Sequence, residues 1–340
     1  MSSPEPPFLP GIELARRYFA EIIEPNLPAV PYSAALIGAG SEILGFDTER
    51  SRDHDWGPRL QLFLDSDPAP VRAAVEAAIP AEFLGYPTRF EDDRHRVEVA
   101  GLGDWLRGAL GFDPRGELST VDWLAVPTQR FAEITGGAVF HDDLGLEAVR
   151  ARLAWYPPDV WRYVLLCQWG RIAQEIAFAG RCAEVGDELG SAVVASRMVR
   201  DLMRLHLLMQ RRYPPYSKWL GSAFSQLPAA EFLEPVLFDA ITARNWTERE
   251  ENLSQAYEFT VCAHNDLGLA EAVDPSLRNY FSRPFRIVDV GAVVAGLKSG
   301  IQDPALQRAA PIGAADQFID STDAVGSLEL LRAAVEAHFR

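Results

Sequence analysis

Apolar positions along this chain follow two rhythms. In residues 11–24, GIELARRYFAEIIE, Leu14, Tyr18 and Ile22 recur at helical spacing and predict a first helix with one buried face. A short apolar run at 33–37 stops at Gly38, which reads as a strand entering a glycine turn. Residues 59–64 predict a second strand, and 68–78 a helix entered through Asp67 as N-cap. Residues 94–99 alternate, placing Arg96, Glu98 and Ala100 on one face and Val97 and Val99 on the other. Residues 105–110 and 121–131 read as helices, and 137–140 as a strand. After Tyr156-Pro157-Pro158 the alternation ends. Val164, Gln168, Ile172 and Ile176 mark a helix over 159–182, and Val194, Met198, Leu202 and Leu205 another over 190–212. Further helices are expected at 229–243, 247–266, 289–298 and 324–339. The pattern predicts an α+β chain of two domains. Residues 1–155 form a mixed β-sheet with flanking helices, and residues 156–340 form a helical bundle.

Composition narrows the picture. With 340 residues, 48% of them hydrophobic, the chain can bury a sizeable core. A formal net charge of -16 argues against general affinity for a nucleic-acid backbone, which needs clustered Lys and Arg. Cys167, Cys182 and Cys262 are odd in number, far apart and set in apolar sequence. That fits neither a disulfide framework nor a zinc site, and it suggests a reducing cytoplasm. The N-terminal segment has no basic and apolar signal pattern, and no apolar run is long enough to span a membrane.

The chemistry concentrates in GAGSEILGFDTERSRDHDW, residues 38–56. If residues 53–56 are extended, Asp53 and Asp55 project together and His54 points away. Two adjacent carboxylates repel unless a cation lies between them, and an oxygen-only set suits Mg²⁺ or Mn²⁺. A Gly40-Ser41 turn opening a helix would offer N–H groups, a hydroxyl and a positive dipole end to a phosphate. Together these halves describe a site for a metal–triphosphate complex.

Gly40-Ser41, Gly45, Ser51 and Asp53-His54-Asp55 resemble the pattern of the nucleotidyltransferase superfamily that includes polymerase beta and kanamycin nucleotidyltransferase. Val97-Glu98-Val99 resembles the strand that carries its third carboxylate. DHDWGPR at 53–59 and YPPYSKW at 213–219 are similar to segments of a poorly characterised bacterial branch of that superfamily. The resemblance implies metal ligation by Asp53, Asp55 and Glu98, and triphosphate binding by Gly40 and Ser41. It implies transfer of a nucleoside monophosphate from an NTP, with ATP as the expected donor, to a hydroxyl on a small molecule or protein. It also implies that Lys218 and Tyr216 reach the phosphates from a helical domain closing one wall of a cleft. The competing reading is a non-catalytic nucleotide-binding or toxin–antitoxin-type interaction protein that keeps the fold. Acceptor, base preference and oligomeric state are left open. So are two departures from the pattern, the extra Arg52 and a Gly57-Pro58 pair that would break a central strand.

Two other clusters are read as structural. Arg197, Arg200 and Arg204, with Asp201, form a solvated helix face in which Arg197 and Asp201 pair at i,i+4. Asp142 is a cap or turn residue.

Overall fold

The computed structural model describes residues 6–53, 56–90 and 93–339. The chain divides into two compact units. The first comprises Met1–Leu118 and Gln129–Ala154, the second Ser119–Thr128 and Trp155–Arg340.

The first unit is built on strands β1 (Ser33–Leu36), β2 (Leu60–Leu64), β3 (Glu82–Phe83), β4 (Tyr86–Pro87), β5 (Val97–Gly101) and β6 (Ala138–Asp142). Four of them form one mixed sheet in the order β5-β2-β1-β6. β1 runs antiparallel to β2 and β6, and β2 runs parallel to β5. β3 and β4 make a separate hairpin across Leu84 and Gly85, whose positive φ values of 53° and 82° suit a two-residue turn. Leu60, Leu62, Leu64, Val97 and Val99 bury one sheet face with Leu14 and Tyr18 of the helix Gly11–Tyr18 and Val71 and Val75 of the helix Ala69–Ala78. The alternation in residues 94–99 is therefore borne out, with Val97 and Val99 inward and Glu98 exposed.

Asp142 ends β6 and serves as the cap expected of it. Its carboxylate accepts N–H bonds from Leu146 (2.8 Å) and Glu147 (2.9 Å) at the start of the helix Leu146–Leu153. Burial opposes its charge, but the Ser33 hydroxyl and those backbone donors outweigh it and hold the acid below its ordinary pKa.

The second unit is helical apart from the hairpin β7 (Arg278–Tyr280) and β8 (Arg283–Ile287), which the helical periodicity did not foretell. Phe285 of β8 is buried against Gly180, where a Cβ would lie 2.3 Å from the ring. The helix expected over 121–131 is two helices, Thr120–Ala125 and Thr128–Thr135. Pro127 lies in the break, where its missing N–H prevents a continuous helix. The long helices Pro158–Glu175 and Glu188–Met209 carry the centre of this unit, with Trp169, Ile172, Leu202 and Leu205 fully buried.

The charged stretch of Glu188–Met209 is a solvated face only in part: Arg197 is exposed and Arg200 half-buried, but the other two members are not. Asp201 and Arg204 are buried at 2% and 6% exposure. Asp201 meets Arg171 at 3.4 Å and Gln168 at 3.2 Å, and Arg204 meets Asp316 at 3.0 Å. Arg197 pairs with Glu175 rather than Asp201. Buried ions must find opposite charges, and here two other segments supply them, the helix Pro158–Glu175 and the segment at Asp316. Among the described residues no helix is long and apolar enough to cross a membrane.

Candidate functional site

β2 organises the site. Arg59 and Gln61 are two residues apart and project to the same side of the sheet. The Gln61 carboxamide donates to Ile37 O and accepts from Ile37 N, both at 3.1 Å. A side-chain amide thus continues the β1 ladder one residue past its end. Arg59 donates from Nε and Nη2 to Glu42 Oε1 at 2.8 and 2.6 Å, and from Nη2 to Ala39 O at 2.5 Å. Glu42 is only 4% exposed, so this ion pair lies beneath the turn rather than on its surface. Between them, Arg59 and Gln61 fasten the segment 37–42 to the sheet.

Gly40 is required here for two reasons. Its φ is +148°, and a Cβ would lie 2.3 Å from Arg59 Nη2 and 2.7 Å from Glu42 Oε2. The N–H groups of Ala39, Gly40 and Ser41 have no hydrogen-bond partner among the described residues. Ser41 donates its hydroxyl to Ser51 Oγ at 3.2 Å, and Ser51 Oγ also accepts from Thr48 N at 3.0 Å.

No helix opens after Gly40-Ser41. Residues 41–45 make a single turn, closed by Phe46 N to Ser41 O (2.9 Å) and Gly45 N to Glu42 O (3.2 Å) with Gly45 at φ +74°. That pair of bonds is the Schellman arrangement that ends a helix, and it ends this one after one turn. Any phosphate cradle is therefore a turn of unpartnered N–H groups, without an extended helix dipole.

Asp53 is the last residue of a 3-10 helix, Glu49–Asp53, so its own backbone is helical rather than extended. The bond from Ser51 N to Thr48 O (2.9 Å) and the Ser51 side chain on Thr48 N set that curl. Asp55 lies outside the described residues. Arg52 has its guanidinium over the rings of Phe8 (5.6 Å) and Tyr86 (5.5 Å), so the extra residue packs against aromatics. Gly57-Pro58 precedes β2, which starts at Leu60, and therefore breaks no strand.

Glu98 stands opposite Gln61 in the parallel β2–β5 register, on the same face. Its Oε2 accepts a hydrogen bond from Trp105 Nε1 at 3.2 Å. The described residues give it no ion pair. Trp105 belongs to the helix Leu102–Leu110, which starts directly after β5. Glu98 borders a cavity of about 490 Å³ whose walls include Ile37, Gly38, Ala39, Gln61 and Trp105. A second cavity of about 600 Å³ shares Arg59, Gln61 and Glu98 and adds Arg89, Phe90 and Arg96. The glycine turn and the strand-borne carboxylate, 60 residues apart in sequence, thus face one space.

Glu98 is an oxygen donor at an open cavity, with one carboxylate oxygen committed to an indole N–H and the other without a described partner. That chemistry fits Mg²⁺ or Mn²⁺. Among the described residues no three His, Cys, Asp or Glu cluster as a metal centre. In the second unit, Tyr216 is 47% exposed and immediately precedes the helix Ser217–Phe224. Lys218 is exposed, with Nζ 4.9 Å from the Trp219 ring centre.

Four residues went unnoticed in the sequence: Glu42, Arg59, Gln61 and Trp105. Arg59 was visible as the last residue of DHDWGPR, and Gln61 as the one polar residue inside LQLFL. Glu42 and Trp105 carry no local signal.

A family described as a domain of unknown function (DUF4037) matches residues 123–220. No curated protein and no solved structure matches the chain.

Proposed function

We propose that this protein is a metal-dependent nucleotidyltransferase. It moves a nucleoside monophosphate from an NTP, with ATP as the first candidate, to a hydroxyl acceptor. One observation carries the reading: the partnerless N–H groups of Ala39, Gly40 and Ser41 belong to a turn whose Gly38 and Ala39 line the same cavity as Glu98. Such a turn attracts phosphate oxygens, and an open carboxylate opposite it suits a divalent cation carried by that phosphate.

The acceptor oxygen attacks the α-phosphorus. The bond from that phosphorus to the α–β bridging oxygen breaks, and pyrophosphate leaves with the bonding pair. The acceptor proton passes through the Glu98 carboxylate to water. Asp53, Asp55 and Glu98 would hold the metal ions, which neutralise charge on the entering and leaving oxygens. The chain's own contribution is mainly position: Arg59 and Gln61 fix the turn against the strand pair that bears Glu98.

The test is thermal denaturation with each of the four NTPs plus Mg²⁺ or Mn²⁺, on the wild-type chain and on Asp53→Ala/Asp55→Ala. At a ligand concentration a hundred times Kd, binding should stabilise the wild type by about 2.7 kcal/mol, and the double variant should lose that gain. An equal gain in both would defeat the metal assignment. No gain with any nucleotide would defeat the function. A gain without pyrophosphate release in any acceptor screen would favour the non-catalytic nucleotide-binding reading.

A further inference from the structure

We propose that Trp105 is the positioning residue of this site, coupling the Glu98 carboxylate to the glycine turn. The inference rests on the nucleotidyltransferase reading for its consequence, though not for its geometry. A glutamate side chain on an exposed strand position has several rotamers, and holding it in one costs conformational entropy. A carboxylate that must present an oxygen at a fixed point therefore needs an external hold. The described residues supply one donor to it, Trp105 Nε1, at 3.2 Å to Oε2. An indole N–H can only donate, so it directs one oxygen and leaves the other to the cavity.

Trp105 is itself held on two sides. Its ring meets Phe63 of β2 edge-on, with centroids 5.2 Å apart and planes at 63°. On the other side it lies against Gly38, where a Cβ would come within 3.4 Å of Cζ2. Gly38 has φ +90° and begins the turn that carries the partnerless N–H groups. One indole thus faces the start of the turn across the space a Gly38 Cβ would fill, bonds the acid on β5, and lines the cavity that Gly38 and Glu98 share. A shift of the turn would be felt at Glu98 through this ring.

The experiment separates the contact from its use. In ¹⁵N–¹H spectra, the assigned Trp105 indole resonance should move when Glu98 is changed to Ala, with no ligand present. An unmoved resonance overturns the proposal. Mn²⁺ is then titrated with ATP into the wild type, Trp105→Phe, Glu98→Ala and the double variant. Trp105→Phe keeps a ring against Phe63 and Gly38 and removes the donor. It should weaken Mn²⁺ binding about 10-fold or more at an unchanged melting temperature. The double variant should be no weaker than Glu98→Ala alone. Wild-type affinity in Trp105→Phe, or additive losses in the double variant, would refute the coupling. Absence of Mn²⁺ binding in the wild type, with the indole resonance still sensitive to Glu98, would overturn the nucleotidyltransferase reading and the role assigned within it. Should Trp105→Phe not fold, Glu98→Ala still yields the resonance test.

Discussion

The two units use polar side chains in opposite ways. In the second, Asp201, Arg204, Arg171, Asp316, Gln168 and Gln317 are directed at one another. Thr128 joins them through its hydroxyl on Asp316, and Arg171 donates to Gln317 O. In the first unit, Arg59 and Gln61 are directed at backbone and at Glu42, while Glu98 keeps an oxygen open to a cavity. A buried network whose ions all find opposite charges is structure. A pinned backbone beside an acid with unused acceptor capacity is a candidate for chemistry. Residue type does not separate the two cases, since both contain Arg, Gln and carboxylates. Burial and the identity of the partner do.

The sharpest break of that contrast is Arg204→Ala. It would leave Asp316 buried at 11% side-chain exposure without its cation. Removing one member of a buried pair costs about 3–5 kcal/mol, because the remaining charge stays desolvated. Urea unfolding followed by circular dichroism should show the midpoint falling accordingly. A loss under about 1 kcal/mol would mean the network is dispensable and the contrast misdrawn.

A second effect belongs to the second unit and is tied to pH. His206 is buried, with Nε2 3.0 Å from Thr260 Oγ1. That hydroxyl donates to Ala256 O at 2.6 Å, so the imidazole is the donor to it. Burial lowers the His206 pKa from 6.5 to about 3 and that of His264 to about 4. Below pH 6.5 the unfolded chain takes up these protons and the folded chain does not. Their contribution is therefore full above pH 6.5 and is lost as the pH falls toward the folded values. Each histidine should add a slope of about 1.4 kcal/mol per pH unit to stability between pH 6 and 5. His206→Gln should remove one such slope, read from urea midpoints across that range. An unchanged slope would show that His206 titrates normally in the folded state.

How much of this was legible follows from what periodicity encodes. Alternation records which side of a strand is wet, so Val97, Glu98 and Val99 were oriented correctly. It records nothing about distant partners. Arg197 and Asp201 stand at i,i+4 and suggested a local pair, yet their partners come from Glu175 and Arg171 on another helix. The Gly40-Ser41 turn looked like a helix start, because glycine and serine suit one. Gly45, four residues later, closes it in the left-handed region. Gln61 could have been noticed, since a polar residue in a buried strand needs a partner, but its partner Ile37 is 24 residues away. The Glu42–Arg59 pair was out of reach for the same reason: burial of an acid beside a glycine turn is decided by the tertiary fold.

The smallest expected effect is the most discriminating. Glu98→Ala removes an exposed side chain whose described contact is one hydrogen bond from Trp105. Surface changes of this kind stay within about 0.5 kcal/mol, so the unfolding midpoint should hardly move. Mn²⁺-dependent binding of ATP should nevertheless weaken by at least about 10-fold, since this is the one expected ligand that the described residues place on the cavity wall. A residue that matters to stability as little as Glu98, but to binding as much as a ligand, serves chemistry rather than folding. If Glu98→Ala instead lost several kcal/mol, as Arg204→Ala should, then Glu98 would belong with the buried network. The open cavity beside it would then be a gap in packing, and the two units would use their charges in the same way.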